Sequence, residues 1–140
     1  MSTSNQNLNL RLGWWMIIAF ACVGLVLEGL HAFKLPYYLD VGAEPRRLMW
    51  TLAHAHGVLL GLIQVALGLS QKVLAIPYPP PWERLLAAGA LLIPIGFFAG
   101  GFYIAGGDPG PGVLLVPVGA VAVLIALGRF AWLVGQATRQ

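Results

Sequence analysis

RLMWTLAHAHGVLLGLIQVALGL, residues 47–69, is apolar enough to lie in a bilayer, yet it carries His54, His56 and Gln64. About 20 apolar residues at 1.5 Å rise cross the hydrocarbon core, and this stretch is that long. Ionisable and strongly polar side chains are costly in hydrocarbon, so each one predicts a partner or a function. The nearest partners lie upstream in LEGLHAFK, residues 27–34, which supplies Glu28 and His31. Whether these residues form a site is the central question of the sequence.

Composition supports a membrane setting. Of 140 residues, 59% are hydrophobic and 9% charged, with a mean hydropathy of +0.80. Soluble domains carry about 25% charged residues, so this chain lacks the polar surface to face water. The net charge of +3 comes from scattered Lys and Arg. No basic run points to nucleic acid. The single cysteine, Cys22, excludes a disulfide framework or a Cys-rich metal site within one chain, and there is no CxxCH for covalent haem. The first apolar run is too long for a signal-peptide core and contains Glu28, so it reads as a membrane helix.

Outward from residues 47–69, the pattern predicts one all-α domain, a bundle of four transmembrane helices over 13–135. A polar tail, 1–12, precedes it and a short one, 136–140, follows. The spans fall at 13–33, 46–69, 85–104 and 113–134. Trp14 and Trp15 suit the interfacial aromatic belt at the start of the first span. Pro79, Pro80 and Pro81 predict an extended polyproline loop before the third, Pro94 predicts a bend within it, and GGDPGPG (106–112) predicts a tight turn. With both termini inside, the inner side holds Arg11, Lys72, Arg84, Arg129 and Arg139, and the outer side holds Lys34, Arg46 and Arg47. This bias predicts an N-in, C-in protein of a bacterial inner membrane.

Helical geometry predicts where the polar residues meet. At 100° per residue, Ala21, Gly24, Glu28 and His31 share one narrow face of the first span, as do His54, Gly57, Gly61, Gln64 and Gly68 on the second. Small residues allow close helix approach in membranes, and polar ones hydrogen-bond across. The two stripes should therefore face each other or the bundle axis, with Gln64 as an interhelical hydrogen bonder. The third span has a comparable stripe, Gly89, Ile93, Gly96, Gly100 and Tyr103. Glu28, His31, His54 and Tyr103 would then converge in the outer half. His56 lies about 200° from His54 round the helix, so it should serve a neighbouring helix or subunit.

Three chemistries remain open. Glu28 and His31, as Glu-x-x-His, with His54 form a three-ligand set for Zn, Cu or Fe. A di-iron centre is excluded, because it needs two such motifs and further glutamates. Alternatively, His31 and His54 on facing helices would ligate haem b, with glycines making room for the macrocycle. The third possibility is a Glu28–His54 lock between helices with no cofactor. Proton or solute passage is a lesser alternative to all three. No catalytic nucleophile is visible: Ser70 is the only serine beyond the N-terminal tail, and no Gly-x-Ser-x-Gly or phosphate-cradling loop occurs.

The segment RRLMWTLAHAHGVLLGLIQVALG resembles the histidine-bearing helices of the haem-copper oxidase and nitric oxide reductase superfamily. The likeness covers one helix, lacks the other histidine helices, and implies haem or metal ligation at His54 or His56 without oxygen reduction. HAFK (31–34), AHAHGVLLG, GFFAGGFY and VPVGA also resemble the pattern of small four-span bacterial membrane proteins of the uncharacterised YgdD type, which implies architecture alone. The expected protein is a metal- or haem-binding membrane protein, or an accessory subunit of a respiratory complex. Short loops and glycine faces predict a homo-oligomer or a larger complex.

Overall fold

The structure is a computed structural model and describes residues 8–139; the first seven residues of the expected polar tail lie outside the described residues. The described residues are mainly helical, with short loops and one two-stranded hairpin. Its helices are α1 (Leu8–Ala32), α2 (Pro36–Leu39), α3 (Glu44–Val73), α4 (Pro80–Phe102) and α5 (Leu115–Ala137). Four of them, α1, α3, α4 and α5, are long and apolar enough to cross a membrane. They pack in chain order, α1 on α3, α3 on α4 and α4 on α5, with slight contact between α1 and α4. The central pair, α3 and α4, is the more buried. One end of the molecule carries α2 and the hairpin, here the α2 end. The other carries the proline loop.

Glycine notches set this packing. On the α1–α3 seam, Gly24 receives the ring of His54 and Gly57 that of Phe20. A Cβ on Gly61 would lie 2.9 Å from the Gly13 carbonyl oxygen, and one on Gly13 would lie 2.7 Å from that of Gly61, so the two backbones nearly touch. Gly24 of the first expected stripe and His54, Gly57 and Gly61 of the second thus lie on one seam, with Gly13 and Phe20 of α1 joining them. The α4 stripe behaves differently: Gly89 meets Gly119, Gly96 meets Gly112 and Gly100 meets Val113, all in or just before α5.

Helix ends depart from the sequence expectation. Pro79 alone is extended, whereas Pro80 and Pro81 open α4. The first turn of a helix has no internal partners for its N–H groups, so proline is accepted there. Helix α4 continues through the buried Pro94. The Gly-rich turn is a two-residue hairpin, β1 (Ile104–Ala105) against β2 (Asp108–Pro109). Gly106 (φ 60) and Gly107 (φ 90) supply the positive angles that such a turn requires.

Helices α1 and α3 both close with a backbone bond five residues back, Leu35 N–H to Leu30 O and Ile76 N–H to Gln71 O, each 3.1 Å. This cap needs a left-handed residue, normally glycine; here Lys34 (φ 51) and Ala75 (φ 50) fill the role. In the loop after α3, Tyr78 is buried and its hydroxyl donates to the Ala126 carbonyl at 2.6 Å, tying the loop to α5. Its pKa is pushed up to about 12, first by burial and then by the Glu83 carboxylate, against the opposing pull of Arg129.

Three outcomes follow from this architecture. Ala75→Gly should stabilise the protein by about 0.5–1 kcal/mol, the left-handed strain relieved less the extra freedom of the unfolded glycine, measured by reversible unfolding in detergent. Gly61→Val should cost about 1–3 kcal/mol by forcing the Gly13–Gly61 contact apart. Because the folded state holds Tyr78 protonated, its contribution is complete below pH 10 and is lost as pH rises towards 12. Tyr78→Phe should lower stability at pH 8 and flatten that alkaline decline.

Candidate functional site

His54 is the most firmly placed of the polar residues. Its ring fills the notch at Gly24, and its Nδ1 lies 2.7 Å from the Phe20 carbonyl oxygen on α1. A carbonyl oxygen only accepts, so Nδ1 carries the hydrogen, and in the neutral ring Nε2 keeps the lone pair. Among the described residues nothing hydrogen-bonds Nε2. A backbone carbonyl that fixes one ring nitrogen while the other stays open is also the arrangement that orients metal-ligating histidines.

Around this ring is a recess of about 360 Å³, lined by Gly24, Glu28, His31, Tyr38, Thr51 and His54 among others. Glu28, His31 and His54 therefore do line one space between α1 and α3. Glu28 and His31 are exposed, and His54 is half-buried. The antiparallel register explains why the three do not close on a point. Gly24 is level with His54, so Glu28 stands about 6 Å and His31 about 10 Å further along α1 towards the α2 end. Among the described residues, no three His, Cys, Asp or Glu side chains form a group that would hold a metal ion as they stand.

The remaining expected residues lie elsewhere. Nδ1 of His56 bonds the Leu52 carbonyl of its own helix at 2.9 Å, and its ring packs on Phe97 of α4, centroids 4.9 Å apart. It thus faces another helix, as the 200° offset requires. Tyr103 is 66% exposed at the end of α4 and does not line the recess; the α4 stripe that carries it faces α5. Gln64 is fully buried on the α1–α3 stripe, but its amide has no hydrogen-bond partner among the described residues. The glycines expected to admit a macrocycle are filled by protein: Gly24 by His54, Gly57 by Phe20, and Gly61 by Gly13 and Ile17.

Two arrangements were missed by sequence reasoning. At the α2 end, the Trp50 indole donates to the Phe98 carbonyl at 3.1 Å and is stacked with Tyr38 and Phe98, with the edge of Phe102 against it. Arg46 bonds the Tyr37 carbonyl at 2.8 Å and that of Gly101 at 3.1 Å, and Arg47 bonds that of Leu39 at 3.0 Å. These arginines secure α2, where interfacial charges were expected. At the opposite end, Gln71 donates to the buried Glu83 at 3.1 Å. Gln71 continues the stripe of Gln64 at i+7, and following that stripe one turn further would have found it.

Comparison of the chain with protein-family profiles, curated proteins and solved structures finds no match. Function therefore has to be read from these residues.

His54→Ala should empty the Gly24 notch and leave the Phe20 carbonyl without its tertiary donor. The expected cost is about 1–3 kcal/mol by unfolding in detergent, whereas His56→Ala should cost less, since its bond lies within one helix.

Proposed function

We propose that this is an integral membrane protein that holds one transition-metal ion, Zn, Cu or Fe, in the recess between α1 and α3. The observation that carries the reading is the fixed tautomer of His54. Its Nδ1–H is held by the Phe20 carbonyl, and the lone pair of Nε2 is left without a protein partner among the described residues. Glu28 and His31 line the same space and are exposed. Turning about their side-chain bonds would bring a carboxylate and a second imidazole towards one ion. One rigid ligand with two adjustable ones describes a site that takes up and passes on an ion more readily than one that buries it.

Orientation follows from charge. Arg11, Lys72, Arg84, Arg129 and Arg139 belong to the end with the proline loop and the C-terminus, and this excess of positive charge favours that end in the cytoplasm and the recess in the outer half. A bacterial inner membrane and a role beside a respiratory complex are consistent with this placement.

A second reading has its own support. Because protein side chains already fill the α1–α3 notches, His54 serves as an interhelical lock through Phe20, with no cofactor required. The chain would then be a structural subunit of a homo-oligomer or larger complex.

Metal analysis and titration calorimetry on the detergent-purified full chain separate the two. The metal reading expects one Zn or Cu ion per chain, lost on His54→Ala and weakened at least tenfold by Glu28→Gln, with His56→Ala unchanged. Folded protein that binds neither Zn, Cu nor Fe overturns it and favours the lock.

A further inference from the structure

The face of α1 opposite the recess borders a second space, distinct in chemistry. A groove of about 420 Å³ runs between α1 and α4 over the floor of α3, lined by Cys22, Val23, Leu27, Trp50 and Phe98, with Tyr37 at its mouth. It continues into an adjoining section of about 300 Å³ that shares Ala19, Val23 and Phe98 and reaches Ile95. The α1 wall runs from Leu30 to Ala19, eleven helical steps or about 16 Å. One leaflet is half of a hydrocarbon core of about 30 Å. The groove therefore has the depth of a single leaflet and ends near the midplane.

Its outer end is cationic. The Arg46 guanidinium carbon lies 3.9 Å from the centroid of Tyr37 and 6.0 Å from that of Trp50, both groove-lining rings. Nε and Nη1 of Arg46 bond the Gly101 and Tyr37 carbonyls, and Nη2 has no hydrogen-bond partner among the described residues. A guanidinium held by two backbone carbonyls and stacked on aromatic rings is pre-organised, and its remaining N–H donors suit a phosphate oxygen.

We propose that this groove is a binding site for one glycerophospholipid of the leaflet at the α2 end. Its phosphate sits on Nη2 of Arg46, and one acyl chain lies along α1 against Trp50 and Phe98. Length, apolar lining and a cation at the mouth together match an amphiphile with an anionic group followed by one leaflet of hydrocarbon. The site does not depend on the metal reading, since Glu28, His31 and His54 open on the other side of α1.

Native mass spectrometry of the delipidated full chain tests this, with phosphatidylglycerol and a diacylglycerol of the same acyl chains as probes. One phosphatidylglycerol should be retained per chain, about tenfold more tightly than the phosphate-free lipid. Arg46→Gln should erase that preference. Cys22→Trp, which fills the groove without touching Arg46, should remove the bound lipid while circular dichroism stays unchanged, and His54→Ala should leave retention intact. Equal retention of both lipids, lipid binding untouched by Cys22→Trp in a folded chain, or a second copy of the chain in place of the lipid overturns the proposal.

Discussion

The approach of α1 to α3 is the constraint on which the rest depends. Within a bilayer, lipid tails solvate an apolar helix as well as another helix does, so association must come from close packing and the occasional polar contact. Gly13 and Gly61 bring the two backbones together, and this proximity lets the His54 ring reach across to a main-chain carbonyl of α1. A larger residue at either position would move the imidazole out of reach of Phe20, and the tautomer would no longer be fixed. Packing and site chemistry are thus one arrangement.

Much of this was legible in the sequence. The four spans follow from apolar runs of the right length, and the facing of the α1 and α3 stripes follows from helical periodicity with small residues. Their joint lining of the recess follows from antiparallel neighbours. What periodicity does not encode is which neighbour a stripe faces. The α4 glycines looked like those of α1 and α3 yet pair with Gly112, Val113 and Gly119, taking Tyr103 away from the recess. Nor does it encode register to within a turn, and the 6–10 Å stagger of Glu28 and His31 beyond His54 separates a shared recess from a closed ligand set. The Trp50 cluster was hidden for another reason. Aromatic and basic residues near a span end are expected at any membrane interface, so their tertiary role has no distinct pattern.

Polar residues are not confined to the His54 end. Asn9, Gln64, Gln71 and Glu83 are all buried, and each keeps at least one polar atom without a protein partner among the described residues. Buried polar atoms normally find partners, since leaving one unpaired costs about 1–3 kcal/mol. The Gln71–Glu83 bond offsets part of that cost and ties α3 to α4, much as Tyr78 ties the loop to α5. The proline-loop end is therefore fastened by side-chain hydrogen bonds where the middle of the seam relies on glycine contacts.

Helix α1 divides two environments. One face carries Gly24, Glu28 and His31 and borders a polar recess; the other carries Cys22, Val23 and Leu30 and borders an apolar groove. Leu27 touches both, and on α3 the consecutive residues Trp50 and Thr51 divide between them, Trp50 lining the groove and Thr51 the recess. Because α1 makes slight contact with α4 and is held mainly by α3, anything that fills the groove supports α1 from its free side. The two faces of one helix thus border spaces of different chemistry, a polar recess and an apolar groove, along a single shared wall.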